Sequence, residues 1–155
     1  MPASVIGQEA PDVVYASWGR RAIAVCIDVA LVVASVVGLY LFAWAAGGYD
    51  AETDTLADAW AAVYLPLIFF GPWLYFWLMV GRYGSTLGKL AVGVVVRRAD
   101  DASRVSYARA LGRTASWSLL GWLVLPLLLS VLWPLWDERN QTLVDKMVST
   151  VVLRR

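Results

Sequence analysis

The sequence predicts an all-α integral membrane protein, and three observations lead to this prediction. Of the 155 residues, 60% are hydrophobic and only 16% are charged, which is typical of membrane proteins. Two apolar runs, at about residues 20–46 and 60–80, are long enough to cross a bilayer as helices. The charged residues are sorted by loop, with acidic side chains in one connection and basic side chains in the next. We therefore expect two full transmembrane helices, a third apolar segment and a small cytoplasmic segment.

The chain divides into a lead, residues 1–16, and one membrane domain, residues 17–155. The lead contains Glu9 and Asp12 and lacks a basic stretch followed by a short apolar one, so we do not interpret it as a signal peptide. The first predicted span follows it. From Ala22 to Ala46 the run is about 37 Å long as a helix, and Asp28 is its one charged residue.

Asp28 is the most informative residue of this span. A carboxylate at such a position costs roughly 2.5–3.5 kcal/mol on insertion scales, so it needs a partner, a proton or a wet cavity. Arg21 lies on the same helical face, but helical side chains lean towards the N-terminus, so a direct pair between the two would be strained. Three interpretations stay open: a carboxylate satisfied by packing hydrogen bonds, a protonatable cation site, or a partner-binding residue.

The connection from Gly47 to Ala59 carries four acidic residues and no basic one, which favours the side away from the cytoplasm. The second span contains Pro66 and Gly71-Pro72. Each proline removes a backbone donor, so we expect a kink or a local break in this helix.

The loop at residues 81–113 is predicted to be cytoplasmic, which also puts the N-terminus inside. Within it, the apolar and β-branched stretch at 90–96 resembles a strand, and Ser103 to Thr114 resembles a helix start with Ser103 or Ser106 as the cap. We predict that this loop is on the cytoplasmic side of the membrane because of its basic residues, which are Arg82, Lys89, Arg97, Arg98, Arg104, Arg109 and Arg113.

The third apolar segment, at about 114–136, has two possible arrangements. A single crossing would put the basic tail, residues 137–155, on the outer side, against the positive-inside tendency. A fold-back between Gly121 and Pro126 would give a re-entrant or interfacial hairpin and return the tail to the cytoplasm. The β-branched stretch at 150–153 could then pair with the similar stretch at 93–96. We predict the hairpin, with three full spans as the alternative.

Several motifs together resemble the RDD family of bacterial membrane proteins, which is named for an arginine and two aspartates. The resemblance covers roughly residues 15–155, and it implies a multi-pass protein of the bacterial cytoplasmic membrane. Transport is suspected for the family, and cation/proton exchange is proposed for some members. The motifs are Arg21…Asp28, the segment GSTLGKLAVG at 84–93, ALGR at 110–113 and QTLVD at 141–145.

The resemblance assigns the family arginine to Arg21, with Arg20 as the alternative register, and the two aspartates to Asp28 and Asp145. The family often has a histidine just before the second aspartate, where this chain has Val144. These three residues are the predicted transport site. The predicted supporting residues are Arg20, Gly84, Thr86, Gly88, Lys89, Arg113, Gln141 and Thr142.

Asp145 also has a structural interpretation, because it lies in a polar tail where it could simply cap a helix. A sharper hypothesis is that it pairs with Arg21 or Arg113 and holds the tail beneath the first helix. Removing one partner of such a buried ion pair destabilises the folded protein by roughly 3–5 kcal/mol.

Other classes of function find little support in the residues. The chain has no histidine and a single cysteine, Cys26, so an intrachain disulfide is impossible and the commonest zinc ligand and general base are missing. The segment Gly84–Lys89 has only three residues between its glycines. Leu90 follows the lysine, at the position where a phosphate loop has Ser or Thr. We expect no enzyme, metal or cofactor, and the net charge of +1 gives no case for nucleic acid binding.

Two hypotheses remain for the function. The first is a homo-oligomeric transporter of a proton or small monovalent cation that uses Asp28. The second is an accessory or structural subunit that docks on a larger membrane protein complex. In both cases the lipid bilayer surrounds the chain, and the basic loop could bind anionic lipid headgroups.

Overall fold

The computed structural model describes residues 14–46, 49–50, 52–53, 55–56 and 58–155. Its two longest elements are helix α1, Trp18–Ala45, and helix α2, Asp58–Tyr83. By length and composition, Trp18–Ala45 and Trp60–Tyr83 could each cross a membrane. Most of their apolar side chains are exposed, as expected for helices whose surroundings are lipid rather than water. Helix α2 continues through Pro66 and Pro72, so neither proline ends it.

A short antiparallel hairpin connects α1 to α2. Its strands are β1, Tyr49–Asp50, and β2, Thr55–Leu56. The carboxylate of Asp50 accepts hydrogen bonds from the backbone N–H of Glu52 at 2.9 Å and from the hydroxyl of Thr53 at 2.8 Å. These bonds satisfy the carboxylate of Asp50 within the turn.

After α2 the chain makes a tight turn and enters the short helix α3, Leu87–Ala91. Gly84 adopts a φ of +69° in the turn, a conformation that glycine reaches without steric cost. Thr86 is the N-cap of α3, and its hydroxyl accepts from the N–H of Lys89. Strand β3, Val94–Arg98, follows directly.

The third apolar segment is a helical hairpin in the structure. Helix α4, Tyr107–Gly121, and helix α5, Val124–Leu132, are separated by Trp122 and Leu123, within the predicted fold-back. Helix α4 begins within the predicted helix start at residues 103–114 and continues into the apolar segment, so one helix covers both. Its cap is Ser106, the second of the two predicted candidates.

Both ends of this hairpin lie at the same end of the α1–α2 pair. The indole N–H of Trp77, late in α2, donates to the carbonyl of Tyr107 at 3.0 Å, at the start of α4. The indole N–H of Trp18, at the start of α1, donates to the carbonyl of Val131 at 2.9 Å, near the end of α5. With 15 and 9 residues, neither arm is long enough to cross a bilayer. The chain therefore returns to the end from which it started.

The remainder of the chain forms a small unit at that end. A 3-10 turn, Trp133–Leu135, leads to helix α6, Leu143–Met147, and to strand β4, Thr150–Arg154. Strand β4 pairs antiparallel with β3, with Val96 opposite Val152. Residues 14–16 are the only part of the lead within the described residues, and they lie along the other edge of β4. There the N–H of Ala16 donates to the carbonyl oxygen of Val152 at 2.9 Å. The buried core between these elements consists of Ala16, Val80, Val94, Val96, Val105, Ala110 and Val152.

Candidate functional site

Asp28 is buried in the first half of α1, with 1% of its surface exposed, and three donors surround its carboxylate. Oδ1 accepts from the hydroxyl of Tyr75 and from the backbone N–H of Gly88, both at 2.8 Å. Oδ2 accepts from the hydroxyl of Thr86 at 2.5 Å. We call these four residues the Asp28 cluster. It joins α1, α2 and the start of α3 through one side chain.

Gly88 makes this arrangement possible because it has no side chain. A Cβ at this position would overlap the carbonyl oxygen of Ala24 and would lie 2.8 Å from Cγ of Asp28. Only glycine therefore lets α3 approach α1 closely enough for its N–H to reach the carboxylate. The packing explains why Thr86 and Gly88 occur together, two residues apart, at the helix start.

Tyr75 is the member of the Asp28 cluster that sequence reasoning did not identify. Its hydroxyl donates to Asp28 and accepts from the N–H of Leu87 at 2.9 Å, so it connects the carboxylate to the backbone of α3. The sequence gives no signal that separates this tyrosine from the other aromatic residues of α2. Its position 47 residues beyond Asp28 becomes meaningful only once α1 and α2 pack together.

A second polar cluster is built around Asp145, which has no exposed surface. Arg21 donates to Oδ2 at 2.8 Å, and Arg113 donates to Oδ1. Thr142 and Asp145 form a capping box at the start of α6, with bonds of 3.0 Å in each direction. Arg113 also donates to the hydroxyl of Thr150 at 2.8 Å. We call Arg21, Arg113, Thr142, Asp145 and Thr150 the Asp145 cluster.

The electrostatics of the Asp145 cluster favour the ionised carboxylate. Burial by itself raises the pKa of Asp145, but the charges of Arg113 and Arg21 outweigh that effect and lower the pKa to about 2. The carboxylate is therefore charged at all physiological pH values. Its two arginines come from α1 and α4, so the ion pairs fasten the tail to both helices.

The positions of these residues can now be compared with known proteins. The family model described as "RDD family" matches residues 15–149. This chain belongs to the RDD family. Comparison with curated proteins and with solved structures finds no match.

The structure distinguishes between the two possible registers of the RDD arginine. Arg21 reaches Asp145, and it also donates to the backbone carbonyls of Ala16 and Val152 at 3.3 and 3.4 Å. Arg20 instead donates to the carbonyl of Val92 at 2.9 Å, just beyond α3. Arg21 is therefore the arginine that pairs with the second aspartate.

The three residues that name the family belong to two clusters rather than one. Arg21 and Asp145 are ion-paired, whereas Asp28 has its own donors and makes no hydrogen bond with either among the described residues. The predicted supporting residues divide in the same way. Thr86 and Gly88 belong to the Asp28 cluster, and Arg113 and Thr142 to the Asp145 cluster.

The other supporting residues have less direct roles. Gly84 forms the turn before α3, and its carbonyl accepts from the N–H of Val96 at 2.6 Å. Gln141 donates to the carbonyl of Thr150 at 2.8 Å and so supports the tail. Lys89 is half-buried, and its ammonium has no bonded partner among the described residues.

An apolar cleft of about 420 Å³ separates the middle of α1 from α2. Its walls include Val32, Ser35 and Leu39 on one side and Leu67 and Gly71 on the other. Tyr75 lies at the end of this cleft, with its hydroxyl bonded to Asp28. The cleft therefore leads from the exposed surface of the two helices to the Asp28 cluster.

In the part of the chain that the structure describes, no group of three or more His, Cys, Asp or Glu residues is close enough to hold a metal ion. The donors around Asp28 are hydroxyl groups and one backbone N–H, which suit a carboxylate or a proton on it.

Proposed function

We propose that this RDD protein moves a proton, or exchanges a proton for a small monovalent cation, across the bacterial cytoplasmic membrane as a homo-oligomer. Asp28 is the ion-binding residue. One observation carries the proposal: a buried carboxylate lies in a transmembrane-length helix, between an apolar cleft on one side and the polar end of the molecule on the other.

The proposed orientation has the N-terminus in the cytoplasm. The end that carries α3, β3, β4 and α6 contains most of the arginines, and the β1–β2 turn at the other end carries Asp50 and Glu52. In this orientation α4 and α5 form a re-entrant hairpin. At its tip Trp122, which is 87% exposed, and Leu125 would contact lipid tails. Pro126 has no N–H, so the start of α5 presents one donor fewer to the bilayer.

A proton suits the Asp28 cluster better than a dehydrated metal cation. A metal ion needs several oxygen ligands at once, and the N–H of Gly88 points at the same carboxylate oxygen that the ion would use. A proton needs one oxygen and can bind when a hydroxyl such as Thr86 or Tyr75 rotates away. The proposal therefore places proton binding at Asp28 and leaves any exchanged cation to pass by the same path.

Oligomerisation is part of the proposal because two spans enclose too little space. The α1–α2 cleft is open along the molecule, and a second copy would have to supply its missing wall. The Asp145 cluster would close the cytoplasmic end of each path, since its ion pairs connect α1, α4 and α6. The basic surface at this end would bind anionic lipid headgroups.

The first test is ion flux into proteoliposomes under imposed pH, Na⁺ and K⁺ gradients. We expect flux for the wild type and flux at the level of protein-free vesicles for Asp28→Asn, because the amide cannot carry the proton. Asp101→Asn, in an exposed turn, is the matched control and should retain wild-type flux. Circular dichroism and size-exclusion chromatography check that each variant is folded. Absence of flux from the folded wild type would contradict the proposal.

A second candidate function is that of an accessory subunit in a membrane complex. It is favoured by a groove on α2 and α4 whose aromatic rim, Phe69 and Phe70, is 74% and 64% exposed. Extraction from the native membrane in mild detergent, followed by mass measurement, separates the two functions. A complex of copies supports transport, and a defined complex with another protein, without flux from the purified chain, supports the accessory role.

A further inference from the structure

We infer that Lys89 is a second proton-exchange residue of the Asp28 site, on its cytoplasmic side. The inference rests on the proposed function and deepens it, because it names the group that supplies protons to Asp28. Lys89 follows Gly88 directly and lies in α3, the helix that Asp28 holds against α1. Lys89 is therefore next to a residue that donates to the carboxylate, in a short helix that contacts both α1 and α2.

The surroundings of Lys89 are unusual for a lysine. Lys89 is half-buried, and its ammonium has no carboxylate or carbonyl partner among the described residues, whereas Lys146, the other lysine of the chain, pairs with Asp137. Burial of a lysine without a partner removes hydration that stabilises its charge. The position is consistent with an amine that must be able to become neutral.

Charged groups from α1, α4 and α6 act on this amine. Arg113 from α4 and Arg21 from α1 disfavour its charge, while Asp145 from α6 and Asp28 from α1 favour it. Arg20 lies close to the end of α3, through its bond to the carbonyl of Val92. Burial, supported by Arg113, lowers the pKa of Lys89 to about 7, despite the two carboxylates. Below this pH the amine is charged, and above it the amine is neutral.

The exchange step conserves protons and charge. Neutral Nζ of Lys89 takes a proton from cytoplasmic water on its lone pair. The ammonium then gives this proton to a carboxylate oxygen of Asp28, which becomes a neutral acid, and the amine returns to its neutral form. The Asp145 cluster keeps its charges throughout, because Asp145 remains ionised at neutral pH.

The first measurement is an NMR titration of the full chain, reconstituted in lipid and labelled with ¹³C at lysine Cε. The chain has two lysines, and Lys89→Arg and Lys146→Arg assign their signals. We expect the Lys89 signal to titrate near neutral pH. If the Lys89 signal titrates only near the ordinary lysine value of about 10.4, the inference is wrong. This readout does not depend on transport.

The second measurement is proton flux as a function of pH for Lys89→Arg and Lys146→Arg. Arginine stays protonated, so we expect Lys89→Arg to lose flux while Lys146→Arg keeps the wild-type profile. Wild-type flux and pH profile in Lys89→Arg, together with loss of flux in Asp28→Asn, would overturn the inference and leave the proposed function standing. Absence of flux from the wild type would overturn both.

Discussion

At the scale of single residues, the two aspartates that name the family, Asp28 and Asp145, differ in how they are stabilised. Asp28 accepts from two hydroxyls and one backbone N–H, all neutral donors. Asp145 accepts from two arginines and so belongs to a buried ionic group. The donors around Asp28 carry no charge, whereas protonation of Asp145 would leave Arg21 and Arg113 without a counter-charge.

We expect Asp145→Asn to destabilise the protein by roughly 3–5 kcal/mol, because two buried arginines would lose their counter-charge. Thermal unfolding in detergent, followed by tryptophan fluorescence, measures this change. Asp100→Asn is the control, since its pair with Arg98 is exposed and worth about 0–1 kcal/mol. Equal effects of the two substitutions would contradict the role that we assign to Asp145.

The lowered pKa of Asp145 predicts that the protein loses stability at acid pH. The pKa of Asp145 is about 2 in the folded protein, below the ordinary value of 3.8. A lowered pKa contributes stability that is complete above the unfolded value and is lost as the pH falls through the folded one. We expect a loss of about 2 kcal/mol between about pH 4 and pH 2, and a weaker dependence on pH in Asp145→Asn.

At the scale of elements, the packing of α3 against α1 decides whether the Asp28 cluster can form. We expect Gly88→Ala to destabilise the protein by about 1–3 kcal/mol, because the new Cβ would overlap the backbone of Ala24. Gly38→Ala is the matched control in α1, where a Cβ meets no atom within 4 Å. Unfolding midpoints of the two variants give the comparison. Wild-type stability in Gly88→Ala would show that α3 does not dock as described.

The hairpin of α4 and α5 is the other element whose position affects function. If it spanned the membrane, the tail and Asp145 would lie far from Arg21 and Arg113. The ion pairs of the Asp145 cluster therefore require the chain to return, and the break at Trp122 and Leu123 provides the turn.

At the scale of the whole molecule, the proposed topology predicts which residues share a side of the membrane. We expect single cysteines at Ser103 and Arg139, which flank the hairpin, to react with an impermeant thiol reagent from the same side. A cysteine at Glu52 should react from the opposite side. The measurements use a Cys26→Ala background in oriented vesicles, because Cys26 is exposed. Reaction of the Arg139 position from the side of Glu52 would establish a third full span.

The sequence by itself determined the two long helices and the membership of the RDD family. Apolar runs of this length have few alternatives as helices, and the acidic and basic loops that flank them are visible without any contact. It also indicated Arg21, Asp28 and Asp145, because charges next to or within an apolar run are conspicuous. The cap of α4 was narrowed to two serines from local chemistry alone.

Only the tertiary structure decided how these residues combine. It separated Asp28 from the Asp145 cluster, brought Tyr75 to Asp28 across 47 residues, and distinguished Arg21 from Arg20 by their partners. It also showed that Arg113 and Arg21 share one carboxylate. The physical reason is the same in each case. Local sequence determines which segments become helices, but hydrogen bonds between buried polar groups depend on which helices pack together and how closely their backbones approach.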